Sequence, residues 1–484
     1  MILGRRIVLM LTKLTLTGFK SFKNKTEIKL SKLTIMAGQN SSGKSSSFQF
    51  LLLMKQTFEA SFNTEALKIH GDCIKHTSSS QFFSSTNKKD SVIGGKMKLQ
   101  LDWDDYIISP YLPPYFKKVK SFSNQPLMVS TELELANSGR LGVIGTNIML
   151  FGDKIRFVKR DIDDRVSVHN KVKNWQESSA TEDSVDDRTV MNLIIDMLQC
   201  NQYGPFLSLK FLPFINSKKR KITDLSIVGF GIESWARNII YLPGLRKSAE
   251  RNYKIEGSPE RAEFEKNIFL FPGRFDNYVA ALISNYVDAA SVKVDLEKIG
   301  EYLNRLGLTS KIHAEKVNDV DVEVRVGQGI DKTSKMVSIA DVGIGVSQVL
   351  PILIALVVGN KHSTVIIEQP ELHLHPRAQV ELAAIVSENI NKIGQIIIET
   401  HSEHFILGIQ ALVAQKQLKA NDVQINWFER DKNGWSTVKS LPIDSSGLIF
   451  DNHIDYDDFR NRALDGILYP EKQGSAEIKN QSFK

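Results

Sequence analysis

A chain of 484 residues, 42% hydrophobic and 24% charged, can bury two or three packed units and is ordinary for a soluble globular protein. Its two cysteines, Cys73 and Cys200, form no CxxC pair and no zinc-type spacing with histidine, which excludes a disulfide framework and a structural metal; a reducing cytoplasm is expected. The net charge of +7 fits polyphosphate or nucleic-acid contact and equally a solvated surface.

The opening MILGRRIVLMLTKL resembles a signal peptide only superficially, because Thr12 and Lys13 interrupt its apolar run. LTKLTLTGF, FKNKTEIKL and KLTIMAG then read as strands, the last running into a glycine turn. SSFQFLLLMKQTF, without Gly or Pro, predicts a buried helix. From about residue 57 the pattern loses regularity, and the polar, charged stretch around 160–190 reads as a mobile surface excursion. Order returns with VDVEVRV, where Val320, Val322, Val324 and Val326 alternate with polar residues as a half-buried strand demands. A turn around GQGIDKTSK, a helix, the buried strand STVIIE, the helix RAQVELAAIVSENI and the buried strand QIIIET follow, and strands separated by helices imply a parallel sheet. INWFERDKNGWSTV predicts a hairpin at Asn433-Gly434. The most apolar helix, VLPILIALVV, is half the roughly 20 residues of a membrane span, so no membrane association is expected.

GQNSSGKS, from Gly38 to Ser45, matches the phosphate-loop pattern in the context it needs, after a strand and opening a helix. Gly38 and Gly43 let the backbone curl so that N–H groups through Asn40, Ser41, Ser42 and Ser46 face the phosphates of ATP, with the helix N-terminus adding its dipole. Lys44 supplies a point charge, and the Ser45 hydroxyl is the expected Mg²⁺ ligand. Downstream, Val365, Ile366 and Ile367 lead to Glu368, an acid at a strand end where it would hold Mg²⁺ directly or through water. QIIIET leads to His401, from which an imidazole can reach a γ-phosphate. Between them Gly343 and Gly345 precede Ser347, read as the N-cap of the next helix, with Pro351 in its first turn; this second anion site would close on nucleotide held by a partner subunit.

These residues resemble the ABC-type ATPase heads of the SMC, Rad50 and OLD class, and among them bacterial AAA-like ATPases with a DUF3696-type C-terminal region. GFKSF, GQNSSGKSS, YLPGLR, DVGIGVSQVLP, EQPELHLHPRAQ and ETHSEH carry the likeness, with INWFERDKNGWSTVKSLPID behind them. It covers both ends of the chain and leaves residues 57–240 largely unmatched. The group includes the ATPase subunits (PtuA) of Septu-type anti-phage systems, which work beside an HNH nuclease. The resemblance implies an α/β ABC-type ATPase head with mixed and parallel sheet, a long α+β insertion and a small C-terminal β-hairpin region. Residues 1–56 and 320–440 would form the discontinuous core, 57–319 the insertion and 441–484 an appendage. Gly38, Gly43, Lys44 and Ser45 carry over as Walker A, Glu368 as the Walker B acid, His401 as the switch histidine, and Gly343, Gly345 and Ser347 as the signature turn, although that turn departs from LSGGQ. It implies a homo-oligomer built on a nucleotide-sandwich dimer and, by way of the anti-phage systems, antiviral defence.

Beside Glu368, many relatives place a second carboxylate as general base, whereas this chain has Gln369. A neutral amide orients water but cannot take its proton, a loss of about 10²- to 10⁴-fold in rate unless Glu371 substitutes. Slow hydrolysis is therefore expected. The excursion is too short and irregular for a coiled-coil arm. An OLD-type nuclease domain has no room after His401, and Asp455 and Asp457 in DYDDF read as a solvated acidic turn, so nuclease activity is expected of a partner. Lys218 to Lys221, and Arg246, Lys247, Arg251 and Lys254, are candidate DNA contacts or solvated surface; Arg246 could instead face ATP. The alternatives are an ABC transporter-type motor subunit and a nucleotide-bound scaffold without significant hydrolysis.

Overall fold

Two runs of β-branched residues set the centre of the molecule. Val365–Ile367 and Ile396–Ile398 are fully buried, as strands covered on both faces must be. The computed structural model describes residues 10–60, 67–84, 96–106, 127–137, 141–150, 153–159, 166–170, 198–201, 208–211, 233–254, 260–261, 269–284, 294–319, 321–330 and 333–449. The fold is mixed α/β, as expected from the sequence, and its sheets are of both kinds.

An antiparallel sheet begins with β1 (Met10–Thr17) and β2 (Thr26–Lys29). The phosphate-loop strand β3 (Leu33–Gly38) leaves for a different sheet. The antiparallel sheet continues through β4 (Lys96–Tyr106), β5 (Leu127–Asn137), β6 (Leu141–Leu150), β7 (Asp153–Lys159) and β8 (Val166–Asn170), in the order β2-β1-β4-β5-β6-β7-β8. The described residues between 67 and 170 are thus more regular than the sequence pattern suggests. Their strands extend the sheet that the N-terminus starts, so the boundary at residue 56 cuts through one hydrogen-bonded layer. Most of the excursion expected near 160–190 lies outside the described residues, although β8 falls within it. Short pairs follow: β9 (Leu198–Asn201) with β10 (Ser208–Phe211), and, further on, β13 (Glu260–Arg261) with β14 (Phe269–Leu270).

The central sheet gathers β3 with β11 (Ile239–Leu242), β18 (Thr364–Glu368), β19 (Gln395–Glu399), β20 (Val423–Arg430) and β21 (Ser436–Leu441), in the order β11-β18-β19-β3-β20-β21. All neighbours are parallel except the terminal β20/β21 hairpin. One correction to the expected domain plan follows: β11, assigned by sequence to the insertion, is a strand of this sheet. The hairpin at Asn433-Gly434 joins the sheet through β20, which pairs in parallel with β3 and puts Phe428 beside Gly38.

Helix α1 (Lys44–Phe58) follows the loop and is buried along nearly its whole length. α2 (Val279–Ile283) and α3 (Leu296–Arg305) pack into the main core beside a small antiparallel sheet of β12 (Tyr253–Lys254), β15 (Ile312–Lys316), β16 (Asp321–Gly327) and β17 (Met336–Ser338). In β16, Val322, Val324 and Val326 are buried as the alternation predicts, while Val320 lies outside the described residues. α4 (Ile344–Val358), α5 (Pro376–Asn389) and α6 (Glu403–Ala414) complete the core. No helix among the described residues is long and apolar enough to cross a membrane.

Candidate nucleotide site

The loop between β3 and α1 is fixed by its glycines and by the C-terminal hairpin. Gly38 holds φ 133 with its Cα pressed on the Phe428 backbone, where any Cβ would meet the Phe428 carbonyl oxygen at 2.1 Å. Gly43 holds φ 102, and a Cβ there would lie 2.4 Å from Ser436 Oγ. Ser41 adopts φ 58, a left-handed residue that helps the loop curl its N–H groups inward. Ser436 Oγ donates to the Ser42 carbonyl at 2.6 Å, and Arg430 Nε donates to the Ser41 carbonyl at 2.8 Å. Asn40 and Ser41 are exposed, Ser42 is buried, and Ser45 and Ser46 are half-buried at the start of α1. That helix has no side-chain cap and no acid in its first turn, so its leading N–H groups are open to an anion.

Lys44 is buried and its ammonium donates to the carbonyls of Gly38 (3.1 Å) and Gln39 (2.5 Å). Burial lowers its pKa, against the opposing pull of Glu399 and Glu371. The ends of β3, β19 and β18 lie side by side, with Glu399 opposite Met36 on one side and Glu368 on the other. Glu399 therefore stands one strand nearer the loop than Glu368. Its Oε1 accepts from Ser45 Oγ at 2.8 Å, its Oε2 is buried without a hydrogen-bond partner, and burial raises its pKa to about 7. Sequence reasoning passed over this acid. The signal was present, because QIIIE ends in a carboxylate just as TVIIE does, but His401 drew the attention.

Glu368 is held from its far side. Tyr241 donates its hydroxyl to Oε1 at 2.9 Å and the Gly244 N–H donates to Oε2 at 3.0 Å, both from the YLPGLR segment that ends β11 and leads out of it. Burial raises the Glu368 pKa against those two donors. Gln369 takes φ 44 and donates its N–H to the Glu399 carbonyl at 2.7 Å, which ties the two strand ends together. Glu371 comes round through the Pro370 turn: its Oε1 accepts the His401 N–H at 2.7 Å and its buried Oε2 has no partner. Burial raises its pKa too. The exposed His401 has its pKa lowered by burial of the ring's surroundings and by Lys44, which places the imidazole in the field of the loop lysine.

The second glycine turn differs from expectation. Gly343, not Ser347, is the N-cap of α4, and Ser347 lies inside the helix, buried, donating to the Ile344 carbonyl at 2.9 Å. Pro351 accordingly sits mid-helix rather than in the first turn. Its missing N–H costs one intrahelical bond, which an otherwise buried apolar helix absorbs by packing. Nothing lies within 4 Å of a Cβ built on Gly343, and Ile344 is 49% exposed, so the turn faces outward. Arg246 faces neither solvent nor the loop. It is buried, donating from Nε to the Gln348 carbonyl and from Nη2 to the Gln369 carbonyl, each at 2.9 Å. Arg251 forms a paired contact with Asp341, at 3.0 and 2.6 Å, so both arginines of the basic group are held by protein oxygens. Lys218 to Lys221, Asp455 and Asp457 lie outside the described residues. Among the described residues no cluster of three or more His, Cys, Asp or Glu forms a metal cage. Magnesium needs none, since one or two carboxylates plus nucleotide phosphates suffice, and Ser45 with Glu399 fits that requirement.

Residues 10–196 match the family model described as "AAA ATPase domain", and residues 237–407 match the one described as "AAA domain, putative AbiEii toxin, Type IV TA system". No curated protein matches by sequence. Among solved structures the chain is similar to an SMC head bound to the C-winged helix domain of ScpA (13% identity, 90% of this chain and 98% of that one, TM-score 0.42). It is also similar to the SMC head domain from Thermotoga maritima (12%, 90% and 99%, 0.37) and to an SMC head with an extended coiled coil bound to the C-terminal domain of ScpA, from Pyrococcus furiosus (12%, 90% and 96%, 0.42). Scores this low carry no weight, and the fold rests on the strand order itself. The phosphate loop and the two family matches, one covering that loop and the other the acidic strand ends, mark this chain as an ATP-binding protein with AAA-type ATPase domains.

Proposed function

We propose that the chain binds ATP with Mg²⁺ at the Gly38–Ser45 loop, dimerises around the nucleotide, and hydrolyses it slowly, so that nucleotide state governs a partner. The observation that carries this reading is the hydrogen bond from Ser45, next to Lys44, to Glu399 at 2.8 Å, with Glu371 and His401 of the same strand ends joined to each other at 2.7 Å; Glu399, Glu371 and His401 all come from the far end of the chain. Ser45 and an acid of the strand ends would hold the metal, which supplies charge neutralisation between the phosphates when bound. Gln369 orients water without accepting its proton, and Glu371, with a buried oxygen free of partners, is the base available. The outward-facing Gly343 and the open N-terminus of α4 would meet the nucleotide of a second subunit, while Gly345 is buried within the helix against the His373 carbonyl.

The partner in this reading is a nuclease of HNH type in antiviral defence, as in Septu-type systems, or another DNA transaction, with DNA contact through Lys218 to Lys221. Sedimentation of the chain with and without a non-hydrolysable ATP analogue tests the dimer. A nucleotide-dependent doubling of mass supports the reading, and a monomer at saturating analogue refutes it. A second reading, a nucleotide-bound scaffold without turnover, is favoured by Gln369 alone; pre-steady-state phosphate release separates the two.

A further inference from the structure

Among the acids at the strand ends, Glu399 differs from Glu368 in what its oxygens are doing. Both Glu368 oxygens already accept hydrogen bonds, from the Tyr241 hydroxyl and the Gly244 N–H. Glu399 is only 3% exposed, yet its Oε2 has no partner at all. A buried carboxylate oxygen with no donor forfeits its hydration without compensation, an uncommon arrangement for which a bound ion is one physical explanation. Its other oxygen accepts from Ser45 Oγ at 2.8 Å. That direction of donation matters, because a serine whose hydrogen points at Glu399 keeps its oxygen lone pairs for a cation.

We propose that Glu399, not Glu368, is the carboxylate that receives the Mg²⁺ of the bound nucleotide, alongside Ser45, while Glu368 acts as a brace that fixes the end of β18 to the Tyr241–Gly244 segment. This rests on the reading that the loop binds Mg²⁺-nucleotide. The register favours it. β19 is the immediate neighbour of β3, and Glu368 is displaced by a further strand spacing of about 4.8 Å. Magnesium takes hard oxygen ligands and keeps several waters, so one carboxylate, one hydroxyl and the phosphates satisfy it without a protein cage.

The test is a titration of the full chain, loaded with a non-hydrolysable ATP analogue, with Mn²⁺ followed by electron paramagnetic resonance. Nucleotide affinity is measured separately in EDTA. Glu399→Gln keeps the shape and can still accept from Ser45, and it is expected to weaken Mn²⁺ binding about 10- to 100-fold, the range seen when a group supporting a metal is removed. Its metal-free nucleotide affinity should be unchanged or tighter, because one negative charge has left the phosphate site. Glu368→Gln should stay close to the parent in Mn²⁺ affinity. The inference is overturned if Mn²⁺ affinity survives Glu399→Gln, including the case in which hydrolysis alone is lost, or if it collapses only in Glu368→Gln. Should Glu399→Gln fail to fold, Glu399→Asp decides: drawn back by one methylene, it has to weaken Mn²⁺, and parent-like affinity overturns the inference. Failure of the unaltered chain to bind the analogue in EDTA would instead sink the nucleotide reading itself.

Discussion

Arg246 donates from Nη2 to the Gln369 carbonyl oxygen at 2.9 Å, and Gln369 is one of the few non-glycine residues held at positive φ, here 44. A left-handed glutamine is strained by about 1–3 kcal/mol and persists only where its surroundings over-determine it. The guanidinium does so from a buried position. It also reaches the Gln348 carbonyl, so the helix behind the outward-facing glycine turn and the end of β18 share one hydrogen-bond donor.

Replacing Arg246 by Met should therefore cost about 3 kcal/mol or more, since several buried carbonyls lose their donor at once. Lys at this position should recover only part of that loss, because an ammonium cannot span acceptors on two elements as a planar fork does. Urea denaturation of the two variants measures both effects. A loss below about 1 kcal/mol for Arg246→Met would show that the carbonyls find other partners.

Two glycines should respond oppositely to added bulk. Gly43→Ala drives a Cβ against Ser436 Oγ at 2.4 Å with φ at 102, so the loop must open and nucleotide affinity should drop sharply. Gly343→Asp enters open space at φ −58, so the monomer should keep its melting temperature and its nucleotide affinity. It should nonetheless lose nucleotide-dependent dimerisation, because an anion then faces the partner's phosphates. Isothermal titration and sedimentation of both variants distinguish these outcomes; a Gly343→Asp chain that still dimerises would disconnect the turn from the nucleotide.

Lys20 gives a pH signature away from the loop acids. Burial lowers its pKa to about 8, and it sits over the Phe82 ring with His76 Nε2 at 3.2 Å. Between about pH 8 and the unfolded value near 10.5, the unfolded chain keeps the proton that the native chain has released. Native stability from this group therefore rises with pH through that window and is lowest below it. Stability measured against pH for Lys20→Met, subtracted from the parent, should isolate the slope; parallel curves would show that Lys20 titrates normally.

Hydrolysis should be slow and should depend on Glu371. Glu371→Gln is expected to lower single-turnover hydrolysis by about 10²-fold or more, with nucleotide affinity nearly unchanged. Ordinary ATPase turnover that this substitution leaves intact would contradict the role given to Glu371.

Much of the site could be read from local pattern, because its parts are local: a phosphate loop between a strand and a helix, and acids at the ends of buried apolar strands. What escaped was non-local. That Glu399 rather than Glu368 meets Ser45 depends on strand order, β19 lying between β18 and β3, which no window of sequence contains. The same holds for β11, whose four residues read as part of an irregular stretch until they pair with β18. The cap of α4 was misplaced for a different reason. Ser347 has the right chemistry for a cap, but Gly343 begins the helix a turn earlier, and the serine spends its hydroxyl on the Ile344 carbonyl.

The central claim is that Lys44 meets the phosphates of a nucleotide held among Glu399, Glu371 and His401. The most direct measurement is the affinity of Lys44→Ala for ATP by isothermal titration, beside a check that the variant melts as the parent does. Loss of a charge-assisted contact predicts a fall of about 10- to 100-fold, whereas an unchanged dissociation constant would contradict the account.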